Sequence, residues 1–109
     1  MTVKEIIKKL DLKCLNKVNL DAEVTGAYAS DLLSDVMGNA RSGQLWITMQ
    51  THKNVTAIAS LKDLAAVIIV RDGEPDEDML KHAKAEDICL LASPDATFEL
   101  CGKLYEILK

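Results

Sequence analysis

Short apolar runs alternate along this chain with stripes of helical period, and each run ends in a polar loop that opens a helix. At the start, Thr2-Val3-Lys4-Glu5 forms a capping box, in which the threonine hydroxyl accepts from the third helical N–H and the glutamate reaches back. Val3, Ile6, Ile7 and Leu10 recur at i, i+3, i+4 and i+7, which predicts a helix over 3–10. Residues 12–16 read as a short edge strand. Val18, Leu20, Ala22 and Val24 alternate with polar positions, which places the first core strand at 22–28. Ser30 and Asp31 then open a helix through Leu32, Leu33, Val36 and Met37, closed by Gly38-Asn39. Gly43 turns the chain into a strand over 44–50. Leu45, Ile47 and Met49 lie on one of its faces and Trp46, Thr48 and Gln50 on the other.

The second half repeats the scheme. Thr51-His52-Lys53-Asn54 is a polar loop, with Asn54 as N-cap of a helix carrying Val55, Ile58 and Ala59. Residues 66–70 are apolar at every position and β-branched, the mark of an interior strand covered on both faces. Arg71-Asp72-Gly73-Glu74-Pro75 turns into an acidic helix start whose apolar side is Met79, Leu80 and Ala83. Residues 88–92 form a second buried run. Ser93-Pro94-Asp95 opens a last helix lined by Phe98, Cys101, Leu104, Tyr105 and Leu108. Strand ends near Tyr28, Gln50, Arg71 and Ser93 thus predict an α/β fold, a four-stranded, mainly parallel sheet with helices on both faces.

Length and composition narrow the picture. A chain of 109 residues forms one domain, 1–109, with a two-sided core. Hydrophobic residues make up 49% but only four are Phe, Trp or Tyr, so that core is aliphatic. No apolar run approaches the ~20 residues of a membrane span, and the first residues lack a signal peptide's apolar stretch, which predicts a cytoplasmic protein with no membrane partner. The net charge of −4 is uneven: residues 1–17 carry +3 and the remainder −7. The bulk of the domain therefore repels phosphate backbones, which argues against nucleic acid as a partner. Cys14, Cys89 and Cys101 are odd in number and widely spaced, and His52 and His82 offer no ligand spacing, so neither a disulfide framework nor a metal site is expected.

Candidate chemistry gathers at the strand ends. The chain has no phosphate-binding G-x-x-x-x-G-K-[ST] loop, no G-x-G-x-x-G turn and no nucleophile elbow around Ser30 or Ser93. The run Asp72, Glu74, Asp76, Glu77, Asp78 reads as a solvated helix start rather than a cation loop. In an open parallel sheet, ligands bind beyond the carboxyl ends of the strands. That edge would gather Ser30, Asp31, Thr48, Gln50, His52, Asn54, Arg71 and Ser93, with Gly26 letting backbone approach a ligand. The Ser30 helix start would offer N–H donors and Arg71 the positive charge for a small anionic or nucleotide-like ligand. No residue set specifies a reaction, and no cofactor is expected.

Several segments carry a resemblance. Gly26-x-Tyr28-x-Ser30-Asp31-Leu32-Leu33-Ser34-Asp35-Val36-Met37, then Leu45-Trp46-Ile47-Thr48-x-Gln50, Asn54-Val55 and the run over 66–70 resemble the DRTGG-domain family. That family is similar to the N-terminal domain of HPr kinase/phosphorylase. The likeness runs from about Lys13 onward, although the name-giving Asp-Arg-Thr-Gly-Gly string is missing. It implies a three-layer α/β/α domain, also similar to the N-terminal domains of Mur ligases, with a regulatory or ligand-sensing role and no chemistry of its own. It also implies association with redox or hydrogenase-related proteins, which short members accompany; a homodimer is expected for such a module. A docking module for such a protein is one alternative function, and a phosphoryl-transfer or phospho-acceptor enzyme is another. The kinase label carried by relatives belongs to a phosphate loop this chain lacks.

Overall fold

The capping box expected at the amino terminus is present in the computed structural model, which describes residues 1–109. Thr2 Oγ1 accepts from Glu5 N at 3.3 Å, and Glu5 Oε1 accepts from Thr2 N at 3.1 Å, opening α1 (Val3–Leu10). The Thr2 amide, together with the Thr2 hydroxyl that donates to the same Oε1 at 3.2 Å, holds the Glu5 carboxyl below its usual pKa. After α1 come β1 (Lys13–Cys14), β2 (Gly26–Ala29), α2 (Leu33–Asn39), β3 (Gln44–Thr48), α3 (Lys53–Leu61), β4 (Ala66–Ile69), α4 (Glu77–Ala85), β5 (Leu90–Ala92) and α5 (Thr97–Leu108).

The sheet has five strands, not four, in the order β1-β5-β4-β3-β2. The extra one is β1, two residues long and antiparallel to β5. Its position is secured by Asn16, whose side chain donates to Ile88 O at 2.7 Å and accepts from Leu90 N at 2.6 Å. The other four strands are parallel and lie side by side in chain order. Parallel crossovers are right-handed, so connections between successive neighbours all fall on the same face. Accordingly α2, α3 and α4 bury Val36, Val55, Ala59, Met79 and Ala83 against Trp46, Val67, Ile69 and Leu90. The opposite face receives only the terminal helices, with Val3, Ile6, Leu100 and Leu104 against Leu45, Ile47, Ile68 and Leu91.

Residues 66–69 and 90–92 are buried interior strands, as their continuous apolar sequence requires. The first core strand starts later than the alternation over 18–24 predicts. That segment instead runs beside the start of α1, where Ala22 O and Leu20 O accept from Val3 N and Lys4 N at 3.0 and 2.8 Å. Its apolar side chains fill the α1 side of the core without joining the ladder.

Three expected caps also shift. Helix α2 is capped at Leu32 rather than Ser30, α3 at His52 rather than Asn54, and α5 at Ala96 rather than Ser93. Ser30 and Ser93 close tight local turns instead, their hydroxyls accepting from Leu32 N and Asp95 N at 3.2 and 3.1 Å. On α5 the buried positions are Leu100 and Leu104, while Phe98 and Tyr105 stand in solvent. Met49, expected on the Leu45–Ile47 face, lies beyond the end of β3 and is exposed. No helix is long and apolar enough to cross a membrane.

Candidate functional site at the carboxyl edge of the sheet

The ends of β2 and β3 are tied together by Asp31. Its Oδ1 accepts from Thr48 Oγ1 and from Met49 N, both at 2.8 Å, and its carbonyl accepts from Gln50 Nε2 at 3.0 Å. Thr48 Oγ1 in turn accepts from Gln50 N at 3.1 Å. Ser30 joins the same network: its N–H donates to Ile47 O at 3.2 Å and its carbonyl accepts from the Trp46 indole at 2.8 Å. Ser30, Asp31, Thr48 and Gln50 are thus brought together as expected, but most of their hydrogen-bonding capacity serves each other. The four-residue β2 ends in this network, which replaces the free helix start expected at Ser30. Helix α2 begins only at Leu33, after Leu32 N has donated to Ser30 Oγ, and its Asp35 N and Val36 N donate to Leu32 O.

A second tie joins the starts of α3 and α4. His52 Nδ1 lies 3.0 Å from Asp76 Oδ2, and Asp76 Oδ1 accepts from Met79 N at 2.8 Å as the N-cap of α4. The His52 contact, reinforced by the Met79 amide, holds the Asp76 carboxyl below its usual pKa. Sequence reading had treated Asp76 as one acid of a solvated run. Its place three residues before Met79, the first buried apolar residue of α4, was the available signal.

The third cluster lies at the ends of β4 and β5. Arg71 and Asp72 both adopt left-handed backbone, φ 57° and 52°, a conformation that L-residues visit at a cost. This turns their N–H groups onto Asp95 O and Ser93 O, each at 2.9 Å, so the β4–α4 loop rests on the β5–α5 loop. The turn tightens at Gly73, where a Cβ would come within 2.7 Å of Ile69 Cγ2. Lys103 reaches from α5 to Asp95 Oδ2 at 2.7 Å. The Arg71 side chain is exposed and makes no ion pair or hydrogen bond, which leaves its guanidinium available. Ser93, by contrast, is 2% exposed and cannot meet a ligand directly.

Two expected site residues lie apart from these clusters. Asn54 is exposed in the first turn of α3, with no side-chain partner. Gly26 stands at the amino end of β2, paired with Gln44, and therefore at the opposite end of the sheet. The four-residue slip of the first strand accounts for this. Gly26 instead lines a largely apolar groove of about 330 Å³ between β2 and α5, with Ala27, Ala29, Ile47, Tyr105 and Leu108. A polar hollow of about 430 Å³, bordered by Glu23, Thr25, Ser42 and Asp63, also opens at the amino end. Neither cavity lies on the carboxyl edge.

Hydroxyl and thiol groups elsewhere in the fold are held in unreactive surroundings. His82 Nδ1 lies 2.8 Å from Thr56 Oγ1, but that hydroxyl is fully buried and donates to Lys53 O. Burial pushes the Cys89 thiol up to about 12, helped by neighbouring Cys14, and burial also raises Cys101. Neither is a thiolate near neutral pH.

No protein-family model matches the chain, and no curated protein matches it either. Among solved structures, the chain is similar to the CBS and DRTGG domains of the regulatory region of a Clostridium perfringens pyrophosphatase, a structure holding the activator diadenosine tetraphosphate. The two superpose with a TM-score of 0.70 at 13% identity, over 94% of this chain and 45% of that one. The chain therefore spans less than half of that regulatory region. Its α/β fold, with a five-stranded mixed sheet and five helices, is shared with that region.

Proposed function

We propose that residues 1–109 work as one non-catalytic regulatory domain, a cytoplasmic homodimer of the DRTGG type that binds a small anionic or nucleotide-like ligand at the carboxyl edge of its sheet. The observation that carries this reading is Arg71. It is a cation with no partner, held at the end of a central strand by two consecutive left-handed residues whose amides are anchored on the neighbouring loop. Backbone held in a sparsely populated conformation at a strand end points to a positioned side chain. A guanidinium there suits a phosphate or carboxylate, and Gln50 and the free nitrogen of His52 lie on the same edge. The similar pyrophosphatase region, which is complexed with a dinucleotide tetraphosphate, supports nucleotides as the first class to examine.

Calorimetric titration and thermal shift with ATP, AMP, diadenosine tetraphosphate and inorganic phosphate test the reading. At least one nucleotide should raise the unfolding midpoint, and Arg71→Ala should weaken its binding about tenfold, the scale of one charge-assisted hydrogen bond. The midpoint of the free protein should stay nearly unchanged. If all four compounds leave the wild-type midpoint and heats unaltered, the reading fails. In the same role, the purified protein should neither hydrolyse ATP nor phosphorylate a protein serine.

The second reading is a docking module for a redox or hydrogenase-related protein, as the family resemblance implies. The observation in its favour is the exposed apolar groove between β2 and α5, lined in part by Tyr105, with Phe98 exposed on the same helix.

A further inference from the structure

The two edges of the sheet are treated differently, and from that difference we infer that β2 and α5 form the twofold interface of a homodimer, with β2 pairing antiparallel to β2 of a second copy. This rests on the homodimer reading above and gives it a surface. Edge strands carry a row of unpaired N–H and C=O groups, which proteins blunt with short length, charge or proline. Edge strand β1 is blunted: it is two residues long and carries the exposed Lys13. Edge strand β2 has four residues, Gly26-Ala27-Tyr28-Ala29, with no charge and no proline.

The face beside that edge holds complementary shapes. Gly26, Ala27 and Ala29 make a shallow floor that α5 leaves uncovered. Phe98, Gly102 and Tyr105 recur at i, i+4 and i+7 on the outward side of α5, where Phe98 is 84% and Tyr105 69% exposed. Gly102 sits mid-helix with open space where its Cβ would be, and a glycine there weakens the helix by roughly 1 kcal/mol relative to alanine. A twofold interface requires one patch to carry both the knobs and the holes that receive them. This patch has aromatic knobs beside a floor of small residues. Antiparallel β2 pairing would bring the two α5 helices face to face across the joined strands, with both sets of aromatics over both floors.

Charge and area favour a second copy over an unlike partner. The chain carries −4, but neither β2 nor the Phe98-Gly102-Tyr105 stripe holds a charge, so two copies meet here without like-charge contacts. At the far end of the groove, Lys109 and Glu106 neutralise each other at 3.3 Å. The two aromatics alone offer roughly 200–400 Å² per copy at their observed exposure. The strand and groove walls extend this toward the ~800 Å² per partner of a stable interface.

Sedimentation velocity of the full chain, from low to high micromolar concentration, provides the test. The expected mass is twice 11.9 kDa. Phe98→Asp and Ala29→Lys should each weaken association at least tenfold, and Leu61→Asp, on the exposed side of α3, should not. Phe98 is so exposed that its replacement leaves folding intact, so F98D decides the matter even if A29K misfolds. A wild-type chain that stays monomeric throughout overturns both the homodimer reading and this surface. A dimer that survives F98D and A29K at undiminished strength overturns the surface alone. A monomer whose β2 amides gain hydrogen-exchange protection only with a different protein assigns the edge to that protein and overturns the proposal.

Discussion

The two faces of the sheet are covered unequally. On one, three crossover helices close over a full layer in which Trp46, Val67, Ile69 and Leu90 are inaccessible to solvent. On the other, only α1 and α5 are available, and they bury β3, β4 and β5 while leaving Ala27 and Ala29 of β2 exposed. The cause is topological. Four parallel strands in chain order, joined by crossovers of one hand, send every connection to the same side. The second side depends on segments before and after the parallel unit, and two helices do not span five strands. The largely apolar groove follows from winding order, and its small floor residues and exposed aromatics are what the sequence adds to it.

The largest effects should fall on the closed face. Trp46→Ala removes a fully buried indole together with its hydrogen bond to Ser30 O, and should lower stability by about 3–5 kcal/mol in a denaturant titration. Ile69→Asp puts a carboxylate with no partner among Trp46, Val55 and Met79, and should abolish cooperative unfolding, since total stability is only ~5–15 kcal/mol. If either variant melts like wild type, that face is not the packed layer described above.

Legibility in the sequence follows the same division. The interior strands were readable because continuous β-branched sequence suits only a doubly covered strand, and the capping box because its two partners are three residues apart. The faulty readings lie mostly where two physical rules give the same pattern. Alternation over 18–24 suits a strand, but equally an extended segment that satisfies its backbone on the start of α1. Ser30 and Ser93 are good helix caps, yet the same hydroxyls close local turns, two residues before the cap at Leu32 and three before the cap at Ala96. The stripe over Phe98, Cys101, Leu104, Tyr105 and Leu108 has helical period, but the core side is set by Leu100 and Leu104, and period alone does not select between adjacent faces. Among site residues, Arg71 and the Asp31 cluster were placed by counting strand ends. The pairing of Asp76 with His52 and of Asp95 with Lys103 is not legible in that way, because it depends on which segments lie side by side.

Intermediate effects should come from the carboxyl edge, which is closed by polar ties rather than apolar packing. Asp31→Ala frees Thr48 Oγ1 and Met49 N at once. Met49 is exposed but Thr48, at the end of β3, is 1% exposed, so one freed group is buried and the loss should be about 1–3 kcal/mol, with faster hydrogen exchange at Met49 and Gln50. Unaltered exchange there would mean that the tie between β2 and β3 contributes nothing.

A smaller and pH-dependent effect should come from Tyr28, whose hydroxyl donates to Asp35 Oδ1 at 2.8 Å. That hydrogen bond raises the tyrosine above its usual pKa and lowers the aspartate. A raised folded-state value means the contribution is fully present below the unfolded tyrosine value of about 10 and fades as pH climbs through the higher folded value. The Asp35 part is present above the unfolded carboxylate range and fades as pH falls through the lowered folded value. Thermal midpoints of wild type and Tyr28→Phe should therefore differ near neutrality and converge at both extremes. A difference that grows above pH of about 10 would reverse the sign and remove the hydrogen bond as its cause.

The smallest expected effect sharpens the comparison most, because the same chemical change is made on both faces. Ala59 on α3 is completely buried in the closed layer, so Ala59→Val forces two methyl groups into filled space and should cost about 1–3 kcal/mol. Ala27 on β2 is exposed on the open face, so Ala27→Val meets only solvent in a dilute, monomeric sample and should stay within about 0.5 kcal/mol of wild type. A β-branched residue even suits the strand. Guanidinium unfolding of both variants at low protein concentration reads the contrast directly. If Ala27→Val loses as much as Ala59→Val, then side chains of α5 close over the β2 floor in solution, and the inequality of the two faces disappears along with the groove. If the costs differ as expected, the open face carries no packing strain, and the β2 floor stays free to receive a second surface.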